Sequence, residues 1–148
     1  LTIFRLLLLQ MRQLKPEARL DVIAYLKELD VVPTAMIDVS DGLASEVMHL
    51  CKASNKGAMV YNSRLPIDSL TSTTAIDFNL DPATCVLNGG EDYELLFTVA
   101  QSDFDKIKGN PHMTIIGYMT DATEGIYLVD TNDSLVPLKA QGWNHFRE

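Results

Sequence analysis

The sequence is poor in cysteine, in basic residues and in long apolar runs, and each shortage narrows what the chain can do. Its two cysteines, Cys51 and Cys85, form no C-x-x-C spacing and are too few for a disulfide-stapled secreted domain. Both read as reduced core residues, not nucleophiles, because no His or Lys stands in an obvious activating position. Lys and Arg number 12 against 20 acids, a formal net charge of -8, so the clustered positive charge that a nucleic-acid partner requires is missing. A small phosphorylated ligand stays open, since divalent cations bridge phosphate to carboxylates. The opening run Leu1-Thr2-Ile3-Phe4-Arg5-Leu6-Leu7-Leu8-Leu9 is broken by Arg5 and too short to span a bilayer. It also lacks the basic start and small-residue cleavage point of a signal peptide, which points to the cytoplasm and to no membrane association. The chain begins without methionine, directly in an apolar helix pattern, and so reads as a fragment of a longer protein. His49 and His112 show no metal-ligand spacing.

What is present is ordinary globular composition: 148 residues, 47% hydrophobic and 22% charged, with no repeat, low-complexity tract or linker. Residues 3–14 read as one helix, and Pro16 opens a second whose apolar face carries Leu20, Ile23, Ala24 and Leu26. Ala35 to Val39 reads as a strand. It leads through Ser40-Asp41-Gly42 into an amphipathic helix that buries Leu43, Ala44, Val47, Leu50 and Cys51 and stops at Asn55-Lys56-Gly57. Ala58 to Tyr61 is a second strand, and residues 68–78 are weakly helical. Asp81 as N-cap with Pro82 at the first helical position defines a helix over 82–88. After Gly89-Gly90 comes a strand whose Tyr93, Leu95, Phe97 and Val99 alternate inward. Ser102 with Asp105 resembles a capping box for a helix ending near Gly109. Thr114 to Met119, Gly125 to Val129 and the segment from Leu135 to Leu138 complete the strands, with Asp121 to Gly125 a solvated turn. The expected fold class is α/β (α+β), a mixed sheet with packed helices.

Chemistry concentrates in two stretches. In Asp38-Val39-Ser40-Asp41-Gly42-Leu43, strand alternation puts Asp38 and Ser40 on one face, and Asp41 follows at the helix entry. Carboxylates there suit Mg²⁺, while a hydroxyl and free N–H groups suit phosphate oxygens. The simpler alternative makes Ser40 or Asp41 a helix cap. Against it, two acids three residues apart repel each other, and a cation relieves that repulsion. The second stretch, Asn88-Gly89-Gly90-Glu91-Asp92-Tyr93-Glu94, is either a close backbone approach to a ligand or a helix C-cap followed by a polar strand start. In Gly142-Trp143-Asn144-His145-Phe146, the tryptophan either packs on the core or stacks on a flat heteroaromatic ligand.

Taken together, Met36-Ile37-Asp38-Val39-Ser40-Asp41-Gly42-Leu43 and Asn88-Gly89-Gly90-Glu91-Asp92-Tyr93-Glu94-Leu95, with the Gly142 to Phe146 ending, resemble the C-terminal domain of the thiamine-monophosphate kinase family. The resemblance runs from about Leu14 to the end. It implies the fold of aminoimidazole ribonucleotide synthetase-like proteins, with 1–14 a remnant of an inter-domain helix, 15–148 the C-terminal domain, and an N-terminal domain absent from this chain. The implied reaction is Mg²⁺-dependent transfer of the γ-phosphate of ATP to thiamine monophosphate. By the same resemblance, Asp38 and Asp41 match magnesium ligands, Ser40 an ATP contact, Glu91 a contact to the thiamine substrate, and Trp143 an aromatic near the thiamine ring. No catalytic side chain is implied, because the acceptor phosphate is already ionised. The full-length protein is expected to be a homodimer, and this chain alone is expected to be inactive. A related ATP-using enzyme of the purine-synthetase type and a non-catalytic binding domain are the alternatives.

Overall fold

The structure, a computed structural model, describes residues 17–140; the expected helix over 3–14, Pro16 and the Trp143 ending lie outside them. The described chain runs α1 (Leu20–Glu28), β1 (Ala35–Asp38), α2 (Leu43–Ser54), β2 (Lys56–Tyr61), α3 (Ser69–Asp77), α4 (Pro82–Asn88), β3 (Leu95–Thr98), α5 (Phe104–Ile107), β4 (Gly117–Asp121), β5 (Ile126–Val129) and β6 (Leu135–Pro137). β1 and β3 pair antiparallel, from Ala35 opposite Thr98 to Asp38 opposite Leu95. The other strands form a mixed sheet in the order β4-β2-β5-β6, in which β2 and β5 are parallel and the remaining pairs antiparallel. The mixed sheet with packed helices is the expected class.

α2 is the central helix. Its apolar residues recur at helical spacing, and Leu43, Ala44, Val47, Leu50 and Cys51 are all buried. Asn55 stops it in the left-handed conformation (φ 51°), and the next residue already belongs to β2. Alternate residues of β2, Ala58 and Val60, meet α2 in the main core, together with Val39, Leu65, Leu138 and two residues of α4, Ala83 and Leu87. α4 starts where expected: the Asp81 carboxylate accepts the Thr84 N–H at 2.9 Å, with Pro82 in the first turn. Asp68 caps α3 in the same way, accepting the Leu70 and Thr71 N–H groups.

A second core lies on the other side of β1 and β3, where Val22 and Leu26 of α1 meet Val31, Ile107, Met36, Leu95 and Phe97. It corrects the expected face of α1. Leu20 is 72% exposed and Ile23 is exposed too, whereas Val22 and Leu26, four apart, point inward. At 100° per residue, Val22, Leu26 and Leu29 form one stripe; of the expected face only Leu26 falls on it, with Ile23 about 90° to the side and Leu20 and Ala24 opposite. Residues 17–19 are not helical, and the helix begins at Leu20.

Three further expectations shift. Residues 91–94 are not part of a strand, because Glu91 (φ 68°) and Tyr93 (φ 52°) adopt left-handed backbone that an extended ladder excludes. The inward stripe is therefore Leu95, Phe97 and Val99, without Tyr93. Ser102 and Asp105 form no capping box: a 3₁₀ turn over Gln101–Asp103 precedes α5, with no side-chain cap. The capping box lies at Asp121, whose N–H donates to Glu124 Oε1 at 3.3 Å, inside the stretch expected to be a plain turn. β4 starts at Gly117, later than expected.

The corrected face of α1 has a measurable consequence. Leu26→Ala is expected to lower unfolding free energy by about 2–5 kcal/mol, as for other buried leucines, and Leu20→Ala by less than about 0.5 kcal/mol. Urea denaturation of both variants checks this, and equal losses would restore the face expected from the sequence.

Candidate functional site

β1 ends at Asp38, and Val39 turns into the main core. The Ser40-Asp41-Gly42 turn then leads into α2. Backbone pairing continues beyond the regular strand: Val39 N–H donates to the Glu94 carbonyl at 2.8 Å, Tyr93 N–H to the Val39 carbonyl at 2.9 Å, and Glu91 N–H to the Ser40 carbonyl at 2.7 Å. The left-handed conformations of Glu91 and Tyr93 belong to this irregular pairing. The two acid-rich stretches, far apart in sequence, thus form one continuous surface.

Two glycines make the approach possible. A Cβ on Gly90 would sit 2.7 Å from the Ser40 carbonyl oxygen. Gly42 has φ 107°, and a Cβ there would sit 2.9 Å from the Leu87 carbonyl oxygen at the end of α4. Gly42 is also the N-cap of α2 and supplies no side-chain cap, so neither Ser40 nor Asp41 serves in the capping role that was the simpler alternative.

Asp38, Asp41 and Glu91 are exposed and Ser40 is half-buried. No hydrogen bond or ion pair links their side chains to another described residue. Glu94 is different. Arg19, just before α1, ion-pairs with Glu94 and also binds Asp21 at 3.0 Å. The Asp21 hydrogen bond raises the Arg19 pKa, and the same bond lowers that of Asp21. Arg19 was not foreseen, because its partner Glu94 lies 75 residues away and no local pattern announces such a contact.

Glu46 was also missed. It is 2% exposed, and its Oε1 accepts the Asp41 N–H at 3.2 Å. A signal was available: Glu46 falls between Leu43 and Leu50 within the buried stripe of α2, where a carboxylate is out of place without a partner.

The donor set suits a hard cation. Asp38 and Asp41 supply carboxylate oxygens and Ser40 a hydroxyl, and Mg²⁺ commonly takes one or two carboxylates with water and phosphate oxygens completing its shell. Among the described residues no group of three or more His, Cys, Asp or Glu side chains could hold a metal by itself. Other features stay structural. Burial pushes the Cys51 thiol pKa up, away from nucleophile character, and His112 stacks on Tyr25 at 4.4 Å. A cleft of about 430 Å³ lined by Ile23, Leu26, Val31 and Met36, and one of about 480 Å³ beside His49 and Lys52, both exclude the Asp38–Asp41 turn. No helix among the described residues is long and apolar enough to cross a membrane.

The Gly90 contact is testable. Gly90→Ala is expected to cost about 1–3 kcal/mol by forcing the loop off the turn, whereas Gly109→Ala, with open space around it, costs only the strain of its left-handed backbone. Thermal unfolding compares them, and a Gly90→Ala variant as stable as the parent would show that the two stretches are not in close contact.

No family model matches the chain. Among curated proteins, the thiamine-monophosphate kinase of Buchnera aphidicola (subsp. Schizaphis graminum) is 36% identical over 91% of this chain, and that of Aquifex aeolicus 34% identical over 97%. The chain spans 42% of the length of each. Of solved structures, AaThiL complexed with AMPPCP and TMP superposes with a TM-score of 0.77 at 30% identity, over 95% of this chain and 41% of that one. The thiamine-monophosphate kinase of Stenotrophomonas maltophilia K279a gives 0.67 at 32% identity, over 81% and 38%. The E. coli hydrogenase maturation protein HypE, at 18% identity and a TM-score of 0.65 over 83% of this chain and 40% of that one, shares the fold alone. With this agreement in sequence and fold along nearly its whole length, the chain belongs to the thiamine-monophosphate kinase family.

Proposed function

We propose that this chain is the C-terminal domain of a thiamine-monophosphate kinase, which transfers the γ-phosphoryl group of ATP in line to the phosphate of thiamine monophosphate, yielding thiamine diphosphate and ADP. The observation that carries the proposal is the three-bond pairing of the Asp38–Gly42 turn with the Gly89–Glu94 loop. It supports the reading by bringing the turn proposed to hold metal and phosphate beside the loop that carries the proposed substrate contact. AaThiL was solved with AMPPCP, a non-hydrolysable ATP analogue, and TMP together, as this reaction requires of its two substrates.

In this reading Asp38 and Asp41 hold Mg²⁺, Ser40 contacts ATP, Glu91 contacts the thiamine substrate and Trp143 lies near the thiamine ring. Bound there, Mg²⁺ would supply neutralisation of the charge on the transferring phosphoryl group. The chain's own residues bind and orient. The Ser40 hydroxyl donates to a phosphate oxygen, and the turn and loop hold the two substrates in fixed relation. No side chain acts as nucleophile or general base, because the acceptor phosphate is already an anion at neutral pH. With two carboxylates on this chain, the remaining metal ligands and much of the substrate enclosure fall to an N-terminal domain, which also forms the homodimer of the full-length enzyme. The enzyme works in the cytoplasm.

Calorimetric titration of AMPPCP and of thiamine monophosphate, each with Mg²⁺, into the intact protein containing this chain tests the proposal. Both ligands are expected to bind, and Asp41→Asn to weaken AMPPCP binding by about tenfold or more, the loss typical when a metal site is disturbed. Failure of thiamine monophosphate to bind would transfer the chain to a sister activity such as a purine-pathway synthetase. Residues 1–148 by themselves are expected to give no measurable thiamine diphosphate from ATP and thiamine monophosphate; steady turnover by that polypeptide would refute the need for the second domain.

A further inference from the structure

Glu46 is the one buried charged residue among those described, and the reaction as derived makes no use of it. Burying an ionisable carboxylate costs free energy unless a partner compensates, and a leucine or methionine would fill the same volume at no such cost. Its position identifies the partner. Glu46 lies in the first turn of α2, where the helix dipole favours negative charge, and its own N–H donates to the Gly42 carbonyl at 3.3 Å. From there Oε1 reaches back past the Gly42 N-cap to the Asp41 N–H. The bond resembles half of a capping box widened by one residue at each end, from the fourth helical residue to the one before the N-cap, and it ties down the backbone of a proposed metal ligand and not the cap itself.

We propose that Glu46 is a positioning residue for the metal-and-phosphate turn. Its carboxylate holds the Asp41 amide from inside the core, and thereby fixes the main chain that presents Asp38, Ser40 and Asp41. The inference rests on the kinase reading and assigns Glu46 no contact with substrate or metal. Two anchors then define the turn. Glu91 N–H grips the Ser40 carbonyl from the loop side, and Glu46 grips the next N–H from the helix side. A turn whose Ser40–Asp41 peptide unit is held at both its carbonyl and its N–H has little freedom left, which is what ligands need if they are to meet a small cation without reorganising.

The test uses the intact protein with Glu46→Met, which conserves volume and removes the acceptor, and Glu46→Gln, which keeps an acceptor oxygen and removes the charge. Three readouts are taken: melting temperature, hydrogen exchange at the Asp41 amide, and AMPPCP affinity as a function of Mg²⁺ concentration. Glu46→Met is expected to melt no more than several degrees below the parent, because its side chain fills the same space while the part-buried Asp41 N–H loses its acceptor. The same variant is expected to lose protection at Asp41 and to need about tenfold or more Mg²⁺ for the same AMPPCP affinity. Glu46→Gln is expected to keep both within about threefold of the parent, since the hydrogen bond survives. An unchanged Mg²⁺ requirement in Glu46→Met overturns the proposal, as does a Glu46→Gln variant that loses as much as Glu46→Met. If the parent itself binds no AMPPCP at any Mg²⁺ concentration, the kinase reading falls and this proposal with it; losses or their absence among the variants bear on Glu46 alone.

Discussion

The candidate site depends on backbone pairing that outlasts the strand it grows from. β1 stops as a regular strand at Asp38, yet hydrogen bonds to the 89–94 loop continue through Val39 and Ser40. Each such bond adds only about 1 kcal/mol net. Their larger effect is geometric: they bind a turn and a loop about fifty residues apart in sequence into one rigid surface, and they leave no room for a side chain at Gly90, as the end of α4 leaves none at Gly42.

Rigidity behind that surface comes from β1 and β3 lying between two cores. Leu96 packs toward α2 and the mixed sheet, while Leu95 and Phe97 pack toward α1. The pair is therefore clamped on both faces although it has only two strands, an arrangement that would be marginal in isolation. Binding groups carried on loops are most useful when a fixed scaffold sets their spacing, and here the loops leave the scaffold within a residue or two of buried side chains. Arg19 adds a tether from outside, linking the segment before α1 to Glu94.

Three acids of this surface make no side-chain hydrogen bond or ion pair within the described fold. Asp38, Asp41 and Glu91 are exposed, and no described basic residue neutralises them. Like charges held near one another repel, and a divalent cation is the simplest remedy. Glu94, by contrast, is held by Arg19, which sets it apart as structural while Asp38, Asp41 and Glu91 stay available.

The sequence by itself determined the elements whose signals are local. Helix α4 follows from Asp81 and Pro82, the buried face of α2 from its apolar spacing, the stop at Asn55 from a residue that tolerates left-handed backbone, and the candidate turn from Asp38-Val39-Ser40-Asp41-Gly42. Local signals fail where distant contacts decide. The buried face of α1 was misjudged because apolar residues stand on both sides of the helix, and only packing against Phe97 and Ile107 selects Val22 and Leu26. Residues 91–94 carry a strand's alternation but are bent into left-handed backbone where they pair with the end of β1. Tertiary structure alone brought Ser40 to Glu91, Asp41 to Glu46 and Arg19 to Glu94, since a hydrogen bond or ion pair between groups separated along the chain depends on where the intervening elements pack, and no short stretch of sequence encodes that.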